Sequence, residues 1–235
     1  MTYTLYIANK RYSSWSMRPW LVLSFLRIPF DEKVQFFQDG WAQPQFYTFS
    51  PTGKVPCLHD SKPGSTPVTV WDSLAIIEYL AEKHEGVWPA DPSARAFARS
   101  AAAEMHSGFN SLRAECPMNV GIRVRLSQES NERVKKDIAR LSVLFEEGLR
   151  AFGGPWLAGP QFTAVDAFYA PIASRLKTYG IEVKGGAGEY IDMLFDHPDV
   201  QAWVKAGISE TARSPEHEDE CLEGGRVLLE ELSSS

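Results

Sequence analysis

Apolar positions fall into two different rhythms along this chain. In the first third they come in short runs: Thr4 to Ala8 (Thr-Leu-Tyr-Ile-Ala) reads as a buried strand, and Phe30 to Phe36 alternates loosely. Val55 to His59 forms a further strand-like run, and Pro67 to Trp71 carries Val-Thr-Val. Between these last two, Asp60 to Thr66 is rich in Pro, Gly and Ser and reads as a hairpin loop. Pro19 to Leu26 has the apolar density of a helix, and Ser73 to Lys83 places Leu74, Ile77 and Leu80 at helical spacing. The order βαβ, ββ, α therefore fills residues 1–84.

The rhythm then changes. Gly86 to Ser93 holds Trp88, Pro89 and Pro92, and prolines this close oppose both helix and strand, so residues 85–93 read as a linker. Ala94 to Ala114 is alanine-rich and predicts a helix stopped before Pro117. In Glu129 to Phe152 the positions Val134, Ile138, Leu141, Phe145, Leu149 and Phe152 recur at steps of three and four, and Gly153-Gly154-Pro155 ends the helix. Thr163 to Tyr179 and Val200 to Ile208 predict two more. The expectation is an α/β domain at 1–84 and an all-α domain at 94–235. No fixed-period repeat is present, and Glu216 to Glu223 reads as an acidic tail in solvent.

Composition narrows the function classes. Hydrophobic residues make up 44% of the 235 and charged residues 23%, enough apolar material for a core, which excludes bulk disorder. With 24 Lys and Arg against 30 Asp and Glu, the net charge of -6 lacks the positive field of a general nucleic-acid binder. No run approaches the roughly 20 apolar residues of a bilayer span, and the first residues lack a basic leader before an apolar core, so a cytoplasmic protein is expected. Cys57, Cys116 and Cys221 are odd in number and far apart, which suits neither a disulfide framework nor a thiolate metal site. His217-Glu218-Asp219-Glu220-Cys221 holds ligating atoms, but consecutive residues point apart, and no metal site is expected.

Three clusters could carry chemistry. Tyr12-Ser-Ser-Trp-Ser-Met-Arg-Pro-Trp20 lies between the first strand and the first helix, with Ser16 as the expected N-cap and Pro19 in the first turn. Ser13 and Ser14 then precede a helix N-terminus, where free N–H groups favour an anion. The bland alternative is an ordinary capping turn. In Ser50-Pro-Thr-Gly-Lys-Val-Pro-Cys-Leu58, Pro56 marks an edge, a bulge or a cis bond. In Trp71-Asp-Ser-Leu74, Asp72 or Ser73 caps the next helix, and the same geometry offers amide donors and a hydroxyl to a carboxylate.

Together these clusters resemble the cytosolic glutathione transferase superfamily over nearly the whole chain: a thioredoxin-like N-terminal domain, a proline-bearing linker and an all-α domain. Ser13-Ser-Trp-Ser-Met-Arg18 is similar to the serine motif of the zeta class, with Trp15 where zeta enzymes carry cysteine. Val55-Pro56 resembles the cis-proline element, Asp72-Ser73 the acidic-Ser pair, and Thr163-Ala-Val-Asp166 the buried capping box.

The resemblance implies that glutathione is the co-substrate and that a serine hydroxyl stabilises its thiolate, since a free thiol titrates near 8.5. Ser13 is the first choice because it stands five residues before Arg18, the spacing found in related classes, with Ser14 next. Val55 would pair its backbone with the cysteinyl part of glutathione beside Pro56, and Lys54 would neutralise the glycyl carboxylate. Asp72 would take the γ-glutamyl ammonium and Ser73 its carboxylate. An apolar electrophile would lie between the domains against Trp15, Met105, Phe109 and Met118, although the last three, at helical spacing, equally suit core packing. His106, with no partner visible in the sequence, reads as structural. The implied activity is a glutathione S-transferase. The alternatives are a zeta-type cis-trans isomerase and a non-catalytic binding protein; a thiol-disulfide oxidoreductase of the omega type would need cysteine at position 13. A homodimer is also implied, with the apolar loop Trp41 to Phe49 and the Ala94 to Ala114 helix at the contact.

Overall fold

A computed structural model describes residues 3–61 and 64–233; Lys62 and Pro63 of the expected hairpin loop lie outside them. Strand β1 (Tyr3–Ile7) pairs in parallel with β2 (Phe30–Val34) and antiparallel with β3 (Cys57–Asp60), which pairs antiparallel with β4 (Val68–Trp71). The sheet order is therefore β2-β1-β3-β4. A parallel pair needs a crossover, and helix α1 (Ser14–Phe25) supplies it. Leu5 and Ile7 are buried from the sheet, Met17, Leu21 and Val22 from α1, and Ile76, Ile77 and Leu80 from α2 (Ser73–Ala81), so these elements share one core.

Helix α1 starts a turn earlier than its apolar density implies. Ser13, not Ser16, is the N-cap, its Oγ accepting the Ser16 N–H at 3.3 Å. Ser16 is buried instead, and its Oγ receives the Ser13 hydroxyl at 2.8 Å and the Ala8 N–H at 3.3 Å, pinning the turn to the end of β1.

The second half is helical: α3 (Pro92–Ser107), α4 (Asn110–Glu115), α5 (Gln128–Phe152), α6 (Ala164–Thr178), α7 (Gly185–Asp196), α8 (Pro198–Ser209) and α9 (Pro215–Leu222). The single helix expected over Ala94 to Ala114 is broken at Gly108 and Phe109, because Phe109 adopts a left-handed φ of 54° and Gly108 N–H turns back to the Glu104 carbonyl. Helix α6 runs through the core, buried on every side over Ala164 to Leu176. A two-stranded antiparallel sheet, β5 (Ile122–Arg125) with β6 (Val227–Glu231), is added to this helical domain and has no counterpart in the sequence reading. The acidic segment is not a solvated tail: α9 buries Cys221 and lays His217 against Phe37 at 4.4 Å and Tyr12 at 5.2 Å between ring centroids.

The two halves meet where α6 packs on α1 and α8 supports the β1–α1 turn. Trp203 Nε1 donates to the Lys10 carbonyl at 2.9 Å, and the Glu210 carboxylate accepts the N–H groups of Lys10 and Arg11 at 2.7 and 3.1 Å. Gly207 permits this approach, since a Cβ there would stand 2.9 Å from the Arg11 nitrogen. The turn that delivers Ser13 and Ser14 is thus held by the helical half.

Candidate active site

Two contiguous cavities open beside the β1–α1 turn, the first walled by the N-terminal half and the second by both halves. The first, of about 490 Å³, is lined by Trp15, Thr52, Lys54, Val55, Pro56, Trp71, Asp72 and Ser73. The second, of about 600 Å³, holds Tyr12, Ser13, Ser14, Met118, Arg113, Arg175, His217 and Glu220 among its walls. Trp15, Thr52, Lys54 and Val55 line both, so Trp15 stands at the junction.

In the first cavity, Asp72 sits at φ +74° and caps α2, one carboxylate oxygen accepting the N–H groups of Leu74 at 2.8 Å and Ala75 at 3.3 Å. The other oxygen lies 3.5 Å from His106 Nε2. The histidine that looked solitary in the sequence thus meets the cap from the opposite domain, and its ring stands edge-on to Trp15 at 5.3 Å. Ser73 is fully buried, and among the described residues its Oγ has no hydrogen-bond partner. Such an orphaned hydroxyl is unfavourable in a protein interior unless a ligand completes it. The Val55–Pro56 bond is cis, directly before β3, and the strand itself begins two residues later than the apolar run, at Cys57. Lys54 is exposed on the rim.

The second cavity is more polar than the sequence reading implies. Two guanidinium groups lie over the Trp15 ring, Arg18 at 4.2 Å and Arg113 at 4.6 Å from its centroid. Arg18 is buried with Nε and Nη1 unpartnered among the described residues, and desolvation together with Arg113 and Arg175 pushes its pKa down to about 9. Arg175, also buried and lowered by desolvation, donates from Nη2 to Ser14 Oγ at 3.2 Å and from Nη1 to the carbonyls of Cys116 and Arg113.

Of the four residues expected around a second substrate, Trp15 and Met118 line the cavity. Met105 and Phe109 do not: Met105 lies on the inward face of α3 with Ala98, Ala101 and Ala102, and the break after Ser107 turns Phe109 onto Tyr169 in the core. Arg113, Arg175, His217 and Glu220 were not foreseen. For Arg175 the signal was an arginine set among the apolar residues of α6. Burial raises the thiols of Cys57 to about 11, Cys116 to about 12 and Cys221 to about 11, so none is a ready nucleophile. Among the described residues, no His, Cys, Asp and Glu group is arranged to hold a metal ion, and no helix is long and apolar enough to cross a membrane.

Comparison with known proteins places these features in a family. The glutathione S-transferase N-terminal domain profile matches residues 12–83, and the glutathione S-transferase C-terminal domain profile matches residues 128–206. The chain is 24% identical over 210 residues to the glutathione S-transferase-like protein OpS6 of Beauveria bassiana, covering 86% of this chain and 88% of that one. It is 29% identical over 191 residues to the maleylacetoacetate isomerase maiA of Aspergillus fumigatus, covering 73% of this chain and 77% of that one. A solved glutathione transferase homolog from Burkholderia gl BGR1 with bound glutathione has the same fold, at a TM-score of 0.65 and 23% identity, covering 88% of this chain and 98% of that chain.

Proposed function

The chain belongs to the glutathione S-transferase family, and from that premise we propose that it binds glutathione in the 490 Å³ cavity and stabilises the thiolate with a hydroxyl of the Ser13–Ser14 pair. The observation that carries this reading is the buried, unpartnered Ser73 hydroxyl at the N-terminus of α2, beside the Asp72 carboxylate. A γ-glutamyl group carries both an ammonium and a carboxylate. Asp72 Oδ2 takes the first, and Ser73 Oγ with the N-terminal field of α2 takes the second. Val55 presents its backbone to the cysteinyl portion, and Lys54 lies at the rim for the glycyl carboxylate.

With glutathione so placed, its sulfur reaches the serines at the junction marked by Trp15. The thiol loses its proton to solvent, a serine O–H donates to the sulfur anion, and the anion attacks an electrophilic carbon in the 600 Å³ cavity, where Trp15 and Met118 offer apolar contact. The new C–S bond forms as the bond to the leaving group breaks, and that group departs to solvent with the electron pair, as halide does from an aryl halide. This is a glutathione S-transferase. A second reading is favoured by the arginines: Arg113, with Arg175 behind it, would receive a carboxylate on an unsaturated substrate, which suits reversible thiolate addition and cis-trans isomerisation; the maiA relative is named an isomerase.

Retention on immobilised glutathione tests the shared premise. Assays with a chromogenic aryl halide and with a cis-unsaturated keto acid then separate the readings: turnover of the halide supports the transferase, and turnover of the keto acid alone supports the isomerase. Failure to retain on glutathione would refute both and leave a non-catalytic member of the family.

A further inference from the structure

The two serines of the motif differ in what their protons already do. Ser13 Oγ donates to Ser16 Oγ at 2.8 Å and accepts the Ser16 N–H at 3.3 Å, which closes the first turn of α1. A hydroxyl has one proton, so turning it toward sulfur would undo that contact. Ser14 Oγ accepts from Arg175 Nη2 at 3.2 Å, and among the described residues it has no acceptor for its own proton. Accepting from a cation also polarises the O–H and strengthens it as a donor.

Resting on the glutathione reading above, we propose that Ser14 is the hydroxyl that donates to the glutathione sulfur, that Arg175 is its positioning residue from the opposite domain, and that Ser13 is the helix cap. Arg175 suits this role because it is buried and anchored: its Nη1 is held by the carbonyls of Cys116 and Arg113, leaving Nη2 aimed at Ser14. The charges around the site point the same way. Arg18 from α1, Arg113 from α4 and Arg175 from α6 are all lowered by desolvation, Arg113 lowers Arg18 and Arg175 further and Arg175 lowers Arg18, and a thiolate among them relieves that repulsion. Lys54 adds a further cation at the rim. Against them stand Glu220 of α9, half-buried, and Asp72, which is already engaged by the α2 N-terminus and His106. Tyr12, Tyr47, His217 and Cys116 also face or flank the cavity; burial holds the Tyr12 hydroxyl and the Cys116 thiol protonated and the His217 ring neutral at pH 7.

The thiol pKa of bound glutathione, read from the ultraviolet absorbance of the thiolate, tests the assignment, with calorimetric glutathione binding measured on the same samples. In the wild type the pKa lies below the free value of about 8.5. Ser14→Ala raises it, reducing the thiolate population by roughly 10- to 150-fold, the worth of one charge-assisted hydrogen bond, while glutathione still binds. Arg175→Met raises it in the same direction without a matching loss of glutathione affinity. Arg175→Lys keeps a cation and most of the packing but cannot fork between the carbonyls and Ser14, and it gives a pKa between those of the wild type and Ser14→Ala. Ser13→Ala lowers Tm through the lost cap and moves the thiol pKa less than Ser14→Ala does. A larger pKa rise in Ser13→Ala than in Ser14→Ala would overturn the serine assignment, and a wild-type pKa in Arg175→Lys would overturn the positioning role. Absence of glutathione binding to the wild type would remove the underlying reading, and this proposal with it.

Discussion

Ser73 holds a hydroxyl out of water with nothing to bond, and a group in that state costs the free protein about 1 to 3 kcal/mol. Ser73→Ala therefore has an unusual expected signature. Tm stays level or rises because an unsatisfied group is removed, while glutathione affinity falls by about tenfold, one hydrogen bond's worth. A destabilised variant with undiminished affinity would contradict the assignment. Asp72→Asn keeps an oxygen for the Leu74 and Ala75 N–H groups and removes only the charge. It is expected to raise the glutathione KM with a smaller effect on saturated turnover, since the lost contact serves ground and transition states alike. The Asp72-Ser73 pair was legible in the sequence because capping is local chemistry. What lies across the domain boundary was not: Arg175 and Ser14 are 161 positions apart, and no local pattern joins them.

The elements show the same division. Helix α5 was readable from its repeat because one face packs and one is wet, and Gly153 ends it in the left-handed conformation, at φ 76°. Helix α9 was misread because Glu216 and Glu218 look like a solvated run, although His217 and Cys221, four apart, share the face that packs. His217→Ala is expected to widen the second cavity, raising the KM for the electrophile several-fold with glutathione affinity unchanged in the same steady-state series. Helix α6 depends on Asp166, whose carboxylate accepts the N–H groups of Leu157 at 3.0 Å and Thr163 at 2.8 Å and the Tyr190 hydroxyl at 2.9 Å. In Asp166→Asn an amide N–H₂ replaces one accepting oxygen and faces donors in a dry interior. A loss of about 3 kcal/mol in urea unfolding is the expected outcome, from one charge-assisted network left incomplete.

The apolar loop before Ser50 divides its aromatics. Phe46 and Phe49 fold back onto the chain's own sheet, while Trp41 and Tyr47 are 65% and 67% exposed, and Val68 and Trp71 are exposed on the edge strand β4. Trp41 and Tyr47 line the second cavity, so it is the β4 edge with Val68 that a two-fold contact would cover, and sedimentation at micromolar concentration is expected to give about twice the 26.3 kDa chain mass. A single species at the chain mass, insensitive to dilution, would refute the dimer. If the cleft beside α2 is a glutathione site, calorimetric titration with glutathione will show it. One molecule bound per chain in the wild type, weakened about tenfold by Ser73→Ala, is the predicted result. No binding to the wild type, or equal binding to both proteins, would contradict it.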